Sequence, residues 1–195
     1  MDKLEQMRAI RDEVIALPAS PLYAYRVQEN NYPVIGEGSH EARIMLVGEA
    51  PGKNEAKTGR PFCGAAGKLL DELLASINLP REQVYITNIV KDRPPENRDP
   101  LPDEILTYGP FLDRQIEIIQ PKVIATLGRF SMQYILDKFK LGNLGTISQL
   151  HGKEFPAAAV YGAIKIVPLY HPAAAIYNQH LKETLLNDFQ ILKNV

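Results

Sequence analysis

Four short apolar runs, spaced so that a helix fits between one and the next, constrain this chain more than any other feature. They are Arg43-Ile44-Met45-Leu46-Val47-Gly48, Val84-Tyr85-Ile86-Thr87-Asn88-Ile89-Val90, Val123-Ile124-Ala125-Thr126-Leu127-Gly128 and Ile164-Lys165-Ile166-Val167-Pro168-Leu169. Strands that are apolar on both faces belong in the middle of a covered parallel sheet. Between and around them lie stretches of helical spacing: Lys68 to Asn78, Asp103 to Ile119, Phe130 to Phe139 and Gln179 to Leu192. A first amphipathic helix carries Leu4, Met7, Ile10, Val14 and Leu17 at three-to-four spacing, and Pro18 and Pro21 end it. The alternation predicts a three-layer α/β/α sandwich around a central four-stranded parallel sheet. The 195 residues, 45% hydrophobic, suit a single domain spanning 1–195, and no internal repeat or linker divides them.

Composition removes several function classes. A formal net charge of −1 is not that of a bulk polyanion binder, although a local basic patch suffices for brief contact with nucleic acid. One cysteine, Cys63, excludes an intrachain disulfide and argues against a Cys-ligated metal site. No basic segment followed by an apolar core opens the chain, and no apolar run approaches the roughly 18 residues of a membrane span. These features suggest a monomer in the reducing cytoplasm. Gly64-Ala65-Ala66-Gly67-Lys68-Leu69 lacks phosphate-loop spacing, and Gly36-Glu37-Gly38 precedes a strand instead of following one. No zinc spacing and no Gly-x-Ser-x-Gly elbow is present.

In open α/β sheets, ligands bind beyond the carboxyl ends of the strands. Three of the four predicted strands end in groups with chemistry: Gly48-Glu49-Ala50-Pro51-Gly52, Asn88 followed by Lys91, and His171-Pro172. A carboxylate, an amide and an imidazole are thus expected to face one crevice. Each alone also has an ordinary structural role, as a loop cap or a satisfied backbone partner.

These segments resemble the family 4 uracil-DNA glycosylases. The resemblance rests on Gly48 to Glu55, Thr58 to Leu70, Thr87 to Pro100, Ala125 to Gly128, and His171-Pro172-Ala173-Ala174, in order and spacing from about Pro33 to the C-terminus. It implies a DNA-repair hydrolase that flips uracil out of DNA and cuts its N-glycosidic bond, with uracil-containing DNA as partner and no small-molecule cofactor. By resemblance, Phe62 stacks on the base, although a Phe beside Pro61 is equally at home in a core. Asn88 reads the uracil edge, and His171 sits beside O2. Gly48, Glu49 and Ala50 line the sugar side, where Glu49 is the candidate for holding the attacking water. Glu55 walls the pocket against a thymine methyl. Lys91, Arg93 and Arg98 are expected on DNA phosphates, and the loop from Pro172 and Ala173 to Tyr177 in the minor groove. Lys53, Lys57, Arg60, Lys68 and Lys153 add to the positive charge near the motif loops.

One departure is large. Family 4 proteins usually carry a [4Fe–4S] cluster on four cysteines, and the matching positions here are Leu17, Ser20, Asp92 and Tyr108. None supplies the thiolate such a cluster requires, so no cluster is expected and packing must fill its role, with Tyr23, Tyr25 and Tyr108 as candidates. Cys63 stands in the base-pocket motif and reads as a small apolar wall. The missing cluster leaves a non-catalytic nucleic-acid-binding protein as the alternative, and excision of hypoxanthine or xanthine as a third reading.

Overall fold

The computed structural model describes residues 2–193 and Val195. Four parallel strands form the middle of the sheet: β2 (Ile44–Gly48), β3 (Tyr85–Asn88), β4 (Val123–Leu127) and β6 (Gly162–Leu169). Two further strands lie antiparallel at the edges, β1 (Glu37–Gly38) on β3 and β5 (Phe155–Ala159) on β6. The sheet order is therefore β1-β3-β2-β4-β6-β5. The expected four-stranded parallel sheet is the centre of a six-stranded mixed one. The two edge strands carry weak signals: β1 is two residues long, and β5 is Phe-Pro-Ala-Ala-Ala with only alternate residues half-buried. Pro168 is tolerated in β6 because β5 pairing has ended at Ile166, leaving only β4 as its strand neighbour there.

Strand periodicity divides the core. On one face Met45, Val47, Tyr85, Ile124 and Ile166 pack against α1 (Lys3–Ile15), α5 (Pro102–Ile119) and α6 (Arg129–Lys138), through Ile10, Val14, Leu112, Ile116 and Ile135. On the other, Ile44, Leu46, Ile86, Ala125, Val167 and Leu169 meet α4 (Ala65–Ser76) and α9 (Gln179–Phe189), through Leu70, Leu73, Leu74, Leu185 and Phe189. Side chains alternate across a strand, so both faces of β2 are fully apolar and buried. The predicted helices are present to within a few residues. Four short ones were not read from sequence: α2 (Tyr23–Gln28), α3 (Lys53–Thr58), α7 (Ile147–Leu150) and α8 (Pro172–Ala175). Each is a turn or two long, below the window in which periodicity shows.

The register fixes the upper rim of the sheet. Gly48 of β2 pairs with Asn88 of β3, and Leu127 of β4 pairs with Leu169 of β6. Glu49, Asn88 and His171 therefore leave the sheet at one edge. Two backbone approaches shape the loop above it. Phe62 adopts a left-handed conformation (φ 47°), uncommon for a bulky side chain. Gly67, in the first turn of α4, lets the Phe62 carbonyl close on the helix, because a Cβ there would lie 1.8 Å from that oxygen.

A methyl group at position 67 meets rigid backbone, not a flexible side chain. Gly67→Ala is expected to cost about 2–3 kcal/mol, lowering the melting temperature by roughly 5–10 °C. Thermal denaturation measures it, and a variant that melts with the wild type would show that the loop does not approach the helix this closely.

Candidate active site

A cavity of about 600 Å³ opens at the carboxyl ends of β2, β3 and β6. It is lined by Glu49, Ala50, Glu55, Phe62, Asn88, Arg98, His171 and Ala173, among others. Of the residues expected at the site, these are brought together. The structure adds Asn54, Pro94 and Asn97 to the lining. They lie within the quoted motifs, but nothing in their identity marked them for the cavity wall.

Asn88 is buried, and its Oδ1 has no hydrogen-bond partner. An orphaned buried acceptor is costly, so one kept at the floor of a cavity points to a ligand donor. Gly48 clears the space for it. A Cβ at that position would lie 2.3 Å from Asn88 Oδ1 and 2.8 Å from Phe62 Cζ. Amide and aromatic edge thus converge over bare backbone.

Below the cavity, Lys91 is fully buried. Its Nζ donates to Asn88 O (2.7 Å), Thr87 Oγ1 (2.8 Å) and Gln115 Oε1 (2.6 Å). Burial pulls its pKa well below the usual lysine value. This corrects the expectation that Lys91 lies on DNA phosphate: the side chain turns inward and braces the Asn88 main chain. The Gln115 amide in turn donates to Ile35 O and Tyr85 Oη, fixing its own orientation.

The Phe62 ring stacks on the His171 ring, with centroids 5.5 Å apart and planes 30° from parallel. His171 caps α8 by accepting the Ala173 N–H at Nδ1 (3.1 Å). That acceptor role puts the proton of the neutral ring on Nε2. Burial pushes the imidazole pKa down to about 4, against a smaller upward pull from Glu55, so His171 is a neutral donor at physiological pH. The same burial acts oppositely on the carboxyl of Glu49. Its pKa rises to about 7, reinforced by Asp99 and opposed by Arg129, which pair at 2.6 Å.

Glu55 belongs to the scaffold as much as to the wall. Its Oε1 accepts the N–H groups of Cys63 (3.0 Å) and Gly64 (3.1 Å). It thereby ties α3 to the start of α4 and holds the loop that carries the strained Phe62. Cys63 is a free, half-buried thiol.

The remaining DNA-contact expectations divide. Arg98 lines the cavity with its guanidinium engaged by the buried Glu104 (2.5 and 2.9 Å). Arg93 is half-buried and donates to Asn97 Oδ1 (2.7 Å). Pro172 is buried in the first turn of α8, which corrects its placement as a surface contact, whereas Ala173 and Ala174 beside it are exposed. Tyr177, just beyond α8, is 98% exposed. Lys53, Lys68 and Lys153 are exposed, Lys57 donates to Glu29 O, and Arg60 is paired with Glu37. Among the described residues no cluster of His, Cys, Asp and Glu has the makings of a metal site, and no helix is long and apolar enough to cross a membrane.

Known proteins give this geometry a lineage. The family model described as the uracil DNA glycosylase superfamily matches residues 35–190. A type-4 uracil-DNA glycosylase of Sulfurisphaera tokodaii is 48% identical over 100% of this chain and 86% of its own length. One from Archaeoglobus fulgidus is 49% identical over 83% of this chain and 80% of its own. A type-5 uracil-DNA glycosylase of Thermus thermophilus is 31% identical over 71% of this chain and 68% of its own. A family model spanning residues 35–190, and type-4 relatives 48% and 49% identical over 100% and 83% of the chain, show that the chain belongs to the uracil DNA glycosylase superfamily, alongside its type-4 members.

Proposed function

We propose that the chain is a monofunctional uracil-DNA glycosylase, acting as one domain over 1–195 and as a cytoplasmic monomer on uracil-containing DNA. The observation that carries the assignment is the unpartnered Asn88 Oδ1 at the floor of the cavity. Uracil offers a donor at N3–H and an acceptor at O4, which an amide satisfies with its oxygen and its nitrogen respectively. Cytosine presents the reverse pattern at those two atoms, and would leave buried groups unpaired. Phe62 supplies the stacking face for a base that has left the duplex.

Bond cleavage develops negative charge on the leaving ring and positive charge on the sugar. The neutral His171, with its donor at Nε2, stabilises charge at O2 more in the transition state than in the ground state. Glu49, which lines the cavity, holds the attacking water in this reading and, as carboxylate, favours the sugar cation. No cavity-lining residue except Lys53 carries an amine, and Lys53 is exposed on α3, so hydrolysis without a Schiff base is the chemistry offered.

The decisive experiment incubates the protein with oligonucleotides containing one uracil, hypoxanthine or xanthine and reveals abasic sites with alkali. Cleavage at uracil is expected. Cleavage only at a purine, or binding without cleavage, would replace the proposal with one of the other readings. His171→Ala is expected to lower kcat by about 10²–10³, and an unchanged kcat would remove the imidazole from the reaction. Because Glu49 has a pKa of about 7 and acts as the carboxylate, the rate should fall by about tenfold per pH unit below that value. Glu49→Gln should be slow and lack this limb; a persisting limb assigns it to another group. Lys91→Met should lower kcat/KM by roughly tenfold, the worth of one positioning hydrogen bond. It should leave the salt dependence of DNA binding unchanged, whereas loss of a phosphate contact would reduce the salt slope by about one.

A further inference from the structure

Three of the positions that match cluster ligands in the family, Ser20, Asp92 and Tyr108, meet in one buried place. The residues present do not fit an iron–sulfur cluster. None is a thiolate, and their oxygens are consumed by one another. Tyr108 Oη donates to Asp92 Oδ2 (2.5 Å), and its oxygen contacts Ser20 Oγ (2.5 Å), which accepts the Leu22 N–H (3.1 Å). A guanidinium occupies the other side of Asp92. Arg26 Nη1 donates to Oδ2 (3.1 Å) and Oδ1 (3.2 Å) in a pair whose side chains are 7% and 0% exposed. Arg26 Nη1 also donates to Val14 O (3.0 Å) and Nη2 to Ile15 O (2.6 Å), at the open C-terminal end of α1. Tyr23 covers the guanidinium at 4.9 Å from its ring centroid.

The polarity of this chain is consistent along its length. With Tyr108 donating to Asp92, Ser20 donates to Tyr108, so every hydrogen between Leu22 and the carboxylate points toward Asp92, and Arg26 donates from the opposite side. Burial holds the carboxyl pKa above its ordinary value, opposed in part by the Tyr108 hydrogen bond and by Arg26. Four segments are thereby pinned to one another: the end of α1, the 17–22 turn with α2, residue 92, and the middle of α5. Residue 92 opens the loop that carries Pro94, Asn97 and Arg98 into the cavity wall.

We propose that the Ser20–Tyr108–Asp92–Arg26 network takes the place of the iron–sulfur cluster as the cross-link between the N-terminal helices and the cavity loop. The protein then folds and acts without iron, and Asp92 and Tyr108 are positioning residues for the loop 93–98. Only the last clause rests on the proposed glycosylase activity.

The test has three arms. Protein made in iron-rich and in iron-depleted medium is expected to have the same melting temperature, no visible absorbance and no stoichiometric iron. Iron bound in the active protein would overturn the proposal. In a double-mutant cycle, Asp92→Asn leaves a buried guanidinium without its counter-charge and should lower the melting temperature by roughly 10 °C. Arg26→Met with Asp92→Asn should melt above Asp92→Asn alone, because the stranded charge is gone. Wild-type melting of Asp92→Asn, or strictly additive losses, would refute the cross-link. Tyr108→Phe, which removes one hydroxyl and keeps the ring, provides the folded variant for the third arm. It should raise KM for uracil-containing DNA severalfold with kcat within about twofold, and an unchanged KM would refute the positioning role. If the wild type cuts no uracil, the third arm is replaced by binding of the same oligonucleotide, and the first two judge the cross-link unaltered.

Discussion

The pairing of Gly48 with Asn88 across β2 and β3 is the constraint on which the site depends. It sets the amide beside a rim residue that has no side chain, where the Phe62 ring edge and the Asn88 oxygen can share the same space. Each neighbouring feature defends that meeting. Gly67 admits the Phe62 carbonyl, Glu55 holds the next two amides, and Lys91 braces the Asn88 carbonyl from beneath. A side chain held left-handed at a cavity floor costs on the order of 1–3 kcal/mol, and such strain persists only where the surroundings over-determine it. The close approach of Gly67 and the two hydrogen bonds of Glu55 around Phe62 meet that condition.

The electrostatics follow from the same enclosure. Removing water disfavours whichever form carries charge, so one cavity drives an imidazole toward neutrality by lowering its pKa and a carboxyl toward neutrality by raising it. The outcome is unequal because the starting values differ. His171 at about 4 is committed to the neutral donor, while Glu49 at about 7 stands at its midpoint near physiological pH. The proton on His171 is placed by a helix cap: the Ala173 N–H occupies Nδ1 and leaves the proton on Nε2. A two-residue motif, His-Pro, thus both starts a short helix and sets a tautomer.

Much of this was legible in the sequence, for physical reasons that also explain what was not. The four central strands are apolar on both faces, so burial wrote them directly into residue type. Groups with chemistry gather at or just beyond the carboxyl ends of three of those runs, so Glu49, Asn88 and His171 were visible as a set. The edge strand β5 is built of small residues with one side in water, and hydrophobicity does not mark it. Lys91 shows the limit more sharply. A lysine next to a basic loop reads as a phosphate contact, and nothing in its own identity announces that Thr87, Asn88 and Gln115 supply three acceptors beneath the sheet rim. Gln115 lies 24 residues further along the chain, on α5. Partners of that kind are fixed by tertiary packing, which residue patterns do not encode locally.

The buried network around Asp92, at the base of the cavity loop, follows the same logic. An ion pair in a protein interior rarely adds stability over a well-packed apolar substitute, because desolvating both charges offsets most of their attraction. Its value here lies elsewhere. Apolar contacts tolerate sliding, whereas a carboxylate that accepts from Tyr108 on one side and Arg26 on the other has one position in which all its partners are satisfied. A cluster held by four thiolates has the same property, because ligand geometry fixes the ligating segments. A loop that forms part of a cavity wall needs definition more than extra stability, and a directional hydrogen-bond chain supplies definition from atoms the ribosome provides. That is a physical reason for a polar network, and not a plug of leucines, to stand where the cluster-ligating cysteines are missing.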